Sequence, residues 1–122
     1  MRGATMIGFV PSVDLDTARV FYEDALGLTL ASRDDFALEF TNGSETVRVI
    51  AVGELTPQPF TILGWATDDI HRDIERLANK GVVFVRYDHF GQDASGVWSS
   101  PSGALVAWFR DPDGNVLSLT QR

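Results

Sequence analysis

The two histidines are the first candidates in this chain for transferring protons or binding a metal ion. The chain has no Cys, which excludes thiolate metal sites, cysteine nucleophiles and disulfides. His89 directly follows Asp88, and imidazole is the side chain whose ordinary pKa lies nearest neutrality. Asp88 and His89 are therefore candidates for a catalytic acid–base pair. His71 falls in the first turn of a predicted helix, where a polar side chain is usually only solvated.

Arg48 is a candidate for binding an anionic group. It lies in a predicted strand over residues 46–52, where alternate residues point to opposite faces. Val47, Val49 and Ala51 of this strand point to one face, and Thr46 and Arg48 point to the other. If the valine face packs on a helix, the guanidinium points away from that helix and can pair with an anionic ligand. The alternative is an arginine in solvent or paired with Glu39.

The segment Asp-Pro-Asp-Gly-Asn at residues 111–115 resembles part of a calcium loop but is predicted to be a turn. An EF-hand needs a spaced series of oxygen ligands that ends in a bidentate Glu. Here the series stops at Asn115, and β-forming residues follow. Pro112 presets φ and Gly114 accepts the left-handed region, so the segment is typical of a tight turn between two strands.

Composition indicates one domain over residues 1–122. Hydrophobic residues make up 44% and charged residues 22%, which is ordinary for a globular protein, and the formal net charge is −7. An acidic chain lacks the basic face that nucleic acid or an anionic membrane requires, so neither is expected as a partner. No run approaches the ~20 apolar residues of a membrane span and no signal peptide is recognised, so a cytoplasmic location is expected.

Secondary-structure signals occur twice in the same order. Asp14 and Asp69 are the predicted N-caps of two helices that end near Ala25 and Asn79, and Gly27 and Gly81 are the predicted C-caps. Pro57 and Pro59 mark a linker between the halves, and a long irregular loop covers 88–103. Each half is therefore predicted to be a βαβββ module, module 1 at about 1–53 and module 2 at about 60–122. The predicted strands of module 1 are 28–32, 36–41 and 46–52 after a first strand at 5–10. Those of module 2 are 82–86, 104–109 and 115–120 after a first strand at 60–66.

This pattern resembles the vicinal oxygen chelate superfamily, which includes glyoxalase I, bleomycin-resistance proteins and extradiol dioxygenases. The resemblance is carried by the paired modules, by the segment 14–27 with its Phe21-Tyr22 and Leu26-Gly27, and by the turn at 111–115. It covers nearly the whole chain. It implies an α+β fold in which two βαβββ modules form a curved, mixed, eight-stranded sheet with a concave cavity.

Enzymes of this superfamily bind a divalent metal on the concave face, and the resemblance identifies the matching positions here. They hold Ile7, Ile62 and Ser118. Two isoleucines and a serine do not supply the imidazole or carboxylate ligands that such an ion requires. The chain is therefore expected to lack the metal site of the family, and no cofactor is predicted.

The first functional hypothesis is a metal-independent protein that binds a small organic molecule in the concavity. Trp98 and Trp108 offer flat faces for a planar ligand. The second hypothesis is a lyase or isomerase that uses a non-standard metal site or the Asp88/His89 pair. A homodimer is expected, because an open sheet leaves edges and apolar surface to be covered. The predicted ligand-binding residues are Ile7, Phe9, Arg48, Ile62, Trp98, Trp108 and Ser118.

Overall fold

A computed structural model describes the whole chain, Met1 to Arg122, which divides into two compact units, Met1–Thr56 and Pro57–Arg122. Each unit contains one helical segment and four strands in βαβββ order. The predicted α+β class with two such modules is confirmed. The eight strands are hydrogen-bonded as two separate four-stranded mixed sheets. The assignment of 1–122 to a single domain stays a prediction.

The first unit places its strands in the spatial order β1-β4-β3-β2. The first and last strands are parallel, and the other pairs are antiparallel. The parallel pair needs a crossover, which the helix supplies. The elements are β1 (Ile7–Ser12), α1 (Leu15–Val20) with a following π-helical turn (Phe21–Ala25), β2 (Thr29–Arg33), β3 (Ala37–Asn42) and β4 (Glu45–Ala51).

Local capping explains where the first helix begins and ends. The Asp14 side chain accepts a hydrogen bond from the backbone N–H of Thr17 at 3.2 Å, as predicted for an N-cap. At the other end Gly27 has a φ of 74°, in the left-handed region. The N–H of Leu28 then donates back to the carbonyl of Tyr22 at 3.0 Å. The fully buried Tyr22 packs against Phe40 of the sheet, with ring centres 5.9 Å apart.

The second unit repeats this arrangement with the strand order β5-β8-β7-β6. Asp69 caps its helix by accepting from the N–H of Arg72 at 3.1 Å. Three apolar residues, Ile70, Ile74 and Leu77, are buried on one face of that helix, at the spacing of an amphipathic helix. The elements are β5 (Thr61–Ala66), α2 (Ile70–Asn79), β6 (Trp98–Ser99), β7 (Leu105–Arg110) and β8 (Val116–Gln121).

The strand predicted at 82–86 is wrong. Only Phe84 forms an isolated bridge, to Phe109, and the N–H of Val85 donates to the carbonyl of Trp108 at 2.7 Å. The rest of this edge of β7 is paired with β6, which lies inside the predicted loop. Residues 86–97 therefore interrupt the edge strand, and we call them the 86–97 loop.

The Gln92 side chain explains why the chain leaves the sheet here. Its Oε1 accepts from the N–H of Tyr87 at 2.6 Å. Its Nε2 donates to the carbonyls of Val85 and Gly96 at 2.9 and 2.7 Å. One amide thus satisfies three backbone groups that a neighbouring strand would otherwise pair. A contact of this kind comes from a side chain inside the loop, and strand propensity does not report it.

Replacing Gln92 with Ala should destabilise the protein by about 2 kcal/mol, because each buried polar group left unpaired costs roughly 1–3 kcal/mol. Urea denaturation measures the loss in the free energy of unfolding. Hydrogen exchange of the variant should be faster at the backbone amides of the 86–97 loop than at those of β8. Gln92→Glu is the matched variant, since it keeps the acceptor for Tyr87 but loses both donors. If Gln92→Glu were as stable as the wild type, the two donated bonds would not hold the loop.

Candidate functional site

Strand register places the predicted residues of the second unit on one face of its sheet. Gly64 pairs with Ser118, and Ser118 pairs with Trp108, so the three side-chain positions form one row. Trp98 pairs with Val106, two residues from Trp108, and therefore shares its face. Phe109 points the opposite way, where it is fully buried. Three of the predicted ligand-binding residues, Trp98, Trp108 and Ser118, thus lie together on the face opposite α2.

An aromatic cluster covers this face, made of Tyr87, Phe90, Trp98 and Trp108. Phe90 stacks on Trp98 with ring centres 5.2 Å apart and lies 5.4 Å from Trp108. Tyr87 meets Trp108 edge-on at 5.4 Å, and the two tryptophans are 6.0 Å apart. All four side chains are half-buried. Tyr87 and Phe90 were missed as site residues, and the only sequence signal for them was their apolar character in a long loop.

Ile62 lies at an irregularity in the pairing of β5. The pairing of β5 with β8 shifts between Thr61 and Leu63, so Ile62 has no partner on β8. Beyond the shift, Leu63 pairs with Leu117, and Trp65 stacks on Phe109 at 6.3 Å. Leu63 and Trp65 therefore face the helix side. The half-buried Ile62 is not assigned to either face by the register.

The first unit has a corresponding face that carries Ile7, Phe9 and Arg48. Phe9 pairs with Arg48, which pairs with Glu39, whereas Val10 and Val49 are buried on the other side. Phe9 is 57% exposed. Arg48 Nη1 lies 3.4 Å from Glu39 Oε1, so the predicted pairing with Glu39 is present on the same face as Phe9. The alternative of a pairing with Glu39 is therefore observed, and a role for Arg48 in binding an anionic ligand stays a prediction.

The registers of the two units identify Arg48 as the counterpart of Ser118. Phe9 and Gly64 each lie five residues before a helix-capping aspartate, and their parallel partners are Arg48 and Ser118 respectively. The metal positions implied by the family resemblance therefore hold two isoleucines, a hydroxyl and a guanidinium. No group of three or more His, Asp or Glu side chains is placed to hold a metal ion. These residues do not fit a divalent cation, which a guanidinium would repel.

Gly64 is required by the close approach of Ser118. A methyl group at residue 64 would lie 2.8 Å from the Oγ of Ser118 and 3.3 Å from its carbonyl oxygen. The first distance is shorter than any ordinary contact, so the Ser118 hydroxyl would have to rotate away, and the carbonyl oxygen would have to yield slightly.

Gly64→Ala should cost about 1–3 kcal/mol through overpacking. In a Ser118→Ala background the cost should fall, because the hydroxyl oxygen is the nearest atom, and a double-mutant cycle in urea measures this coupling. Equal costs in the two backgrounds would show that the backbone contact alone limits residue 64.

The two histidines, His71 and His89, lie in different surroundings. His71 Nε2 donates to Asp93 Oδ2 at 2.9 Å, which ties α2 to the 86–97 loop. Burial raises the pKa of Asp93, but hydrogen bonds from His71 and from the N–H groups of Val97 and Ser95 outweigh it, so this pKa lies below its ordinary value. His89 is exposed and packs edge-on against Phe90 at 5.5 Å. No hydrogen bond joins it to Asp88, and the acid–base role of Asp88 and His89 stays a prediction.

The turn at 111–115 is confirmed, and its oxygens are used internally. Asp111 Oδ1 accepts from the N–H groups of Asp113 and Asn115 at 3.0 and 2.9 Å. Its Oδ2 accepts from the side-chain amide of Asn115 at 2.9 Å. A buried carboxylate held by three N–H donors stabilises a turn and is not available as a calcium ligand.

The βαβββ units with parallel first and last strands define a glyoxalase-like fold, and comparison with known proteins gives the family. Residues 6–119 match the Glyoxalase/Bleomycin resistance protein/Dioxygenase superfamily. The chain belongs to this superfamily, which confirms the resemblance found in the sequence. No curated protein matches the chain.

Solved structures share the fold at low sequence identity. A bleomycin resistance determinant encoded on the transposon Tn5 is 23% identical with a TM-score of 0.77, over 98% of each chain. A lactoylglutathione lyase from Agrobacterium tumefaciens is 18% identical with a TM-score of 0.72, over 99% of this chain and 95% of that one. A glyoxalase/bleomycin resistance protein/dioxygenase from Alicyclobacillus acidocaldarius is 19% identical with a TM-score of 0.75, over 99% and 94%. At these identities the likeness concerns the fold alone.

No helix of this chain is long and apolar enough to cross a membrane. The cytoplasmic location stays a prediction.

Proposed function

We propose that this chain binds a small planar organic molecule without a metal ion, against the aromatic cluster of the second unit. The observation that carries the proposal is the set of half-buried rings on the sheet face that also holds Ser118 and Gly64. Aromatic rings arranged in offset stacks and edge contacts favour another flat ring beside them. The Ser118 hydroxyl supplies a polar atom that can orient such a ligand.

Phe90 determines how a ligand would enter this site. Its ring contacts both tryptophans, so it covers part of the flat surface that they offer. A planar ligand must either displace Phe90 or extend the stack beyond it. Phe90 lies in the 86–97 loop and not in a strand, so the first route needs only a local movement of that loop.

The corresponding face of the first unit, taken by itself, offers different chemistry to a ligand. Ile7 and Phe9 offer exposed apolar surface, and the Arg48–Glu39 pair offers both charges beside it. The formal net charge of −7 favours a cationic compound through long-range attraction. If the protein confers resistance to such a compound, as the name of the Tn5 determinant suggests for that relative, the mechanism is stoichiometric sequestration.

Trp108→Ala should weaken binding of a planar aromatic ligand about tenfold or more, because truncating a central aromatic contact typically costs 1–2 kcal/mol or above. A thermal-shift screen of planar aromatic compounds, with bleomycin among them, identifies the ligand, and calorimetry measures its affinity for each variant. Trp98→Ala is the second test variant. Trp65→Phe is the matched control, since Trp65 lies on the opposite sheet face and should leave affinity unchanged.

Two results would overturn the proposal. One is a ligand whose affinity is the same in the wild type, Trp98→Ala and Trp108→Ala, with folding of each verified by circular dichroism. The other is stoichiometric metal in protein purified without chelator, whose removal abolishes binding. The second result would support the lyase or isomerase alternative.

We further propose that the chain forms a homodimer. The exposed Ile7 and Phe9 lie on an open sheet, and β1 is an edge strand of that sheet. Exposed edges and apolar faces are commonly covered by a twofold partner. Light scattering should give about twice the chain mass of 13.4 kDa. A mass that stays at one chain across the micromolar concentration range would contradict it.

A further inference from the structure

A groove lies between α2 and the 86–97 loop, on the other side of the second unit's sheet from the aromatic cluster. Its volume is about 530 Å³. It is lined by Phe84, whose ring contacts the buried Phe109 at 5.3 Å on the helix side. Trp108, the neighbour of Phe109, points to the opposite face. The groove is therefore separate from the proposed ligand site.

The floor of the groove is apolar. Ile74 and Ala78 come from successive turns of α2, and Val82 and Phe84 come from the segment that follows the helix. Ile74 and Val82 are buried in the core of the unit, and Phe84 is half-buried. An apolar side chain of a ligand would gain free energy by covering the exposed part of this floor, at roughly 25 cal/mol per Å² of apolar area removed from water.

Arg86 places a positive charge in the groove that no carboxylate neutralises. Its guanidinium donates to the carbonyls of Ala94 and Gln92 at 3.3 and 3.4 Å. These two bonds fix its position, yet they leave its charge unpaired, since no acidic oxygen lies within 4 Å of it. A guanidinium held in this way retains donors for a carboxylate.

Glu75 places a negative charge in the same groove, also without a partner. The arginines of α2 pair with Asp73 instead, Arg76 at 3.3 Å and Arg72 at 3.9 Å. The remaining basic side chain of the groove, His71, is occupied by Asp93. The groove thus presents one unpaired cation and one unpaired anion beside an apolar floor.

We propose that this groove binds a free α-amino acid with an apolar side chain. The ligand carboxylate pairs with Arg86, the ammonium group pairs with Glu75, and the side chain lies on the floor formed by Ala78, Val82 and Phe84. A ligand with a single charge would leave one of the two groove charges unpaired, whereas a zwitterion pairs both. The volume falls within the 300–1,000 Å³ range of small-molecule sites and is large enough for an amino acid.

L-Leucine is the probe, and three analogues separate its parts. 4-Methylpentanoic acid lacks the ammonium group, isopentylamine lacks the carboxylate and glycine lacks the side chain. Titration of ¹⁵N-labelled protein should show leucine shifting the amides of Glu75, Ala94 and Ser95 and leaving the indole N–H signals of Trp98 and Trp108 unmoved. Leucine should bind at least tenfold more tightly than each analogue.

Glu75→Gln is the decisive variant. Glu75 is exposed, so replacing its carboxylate breaks no contact within the fold. It should weaken leucine at least tenfold and leave the affinity of 4-methylpentanoic acid unchanged. Arg86→Lys keeps the charge but loses the planar fork, and should weaken leucine and 4-methylpentanoic acid together. Glu54→Gln, an exposed glutamate of the first unit, is the matched control and should change neither.

Three results would overturn this proposal. They are equal affinities for leucine and 4-methylpentanoic acid, shifts confined to the aromatic cluster, and no shift at millimolar leucine. None of them bears on the aromatic ligand site, which is tested through Trp98 and Trp108.

Discussion

The parallel pairing of the first and last strand of each unit is the constraint on which the rest of the structure depends. It requires a crossover, so a helix must cover one face of the sheet and leave the other face open. In the second unit the pairing of Gly64 with Ser118 also fixes the direction of every side chain of β8 and, through it, of β7. The absence of a Cβ at Gly64 allows this pair to approach so closely.

Much of the fold could be predicted because its signals are local. Asp14 and Asp69 cap the two helices. Each carboxylate accepts a hydrogen bond from the backbone N–H group three residues further along the chain. The turn at 111–115 uses the side chain of its first residue to bind the N–H groups inside it. Such contacts span only a few residues, and the sequence therefore indicates them directly.

The departures come from contacts that sequence patterns do not report. The segment 82–86 has the composition of a strand, yet the Gln92 amide satisfies the backbone groups of Val85 and Tyr87 from within the loop. The equivalence of Arg48 and Ser118 depends on strand register, which sets which residues are opposite each other. Alternation together with the register gives the face of Phe9 and of Trp108, but it does not give that of Ile62, where the register shifts.

The register also strengthens the argument about metal chemistry. In the sequence, three of the positions that match the metal ligands of the family hold residues that do not bind a divalent metal ion. In the structure, the fourth corresponding position holds Arg48, whose positive charge is paired with Glu39. Arg48 is not a metal ligand, and its removal would leave the half-buried Glu39 without its partner.

The 86–97 loop supplies residues to two different surfaces of the second unit, the aromatic cluster and the groove beside α2. At its start Phe90 packs on the tryptophans, and further along Ala94 and Ser95 line the groove beside α2. Three hydrogen bonds from Gln92 and the His71–Asp93 pair hold both parts in place. One loop thus supplies residues to both surfaces, while the sheet between them keeps the groove and the aromatic face apart.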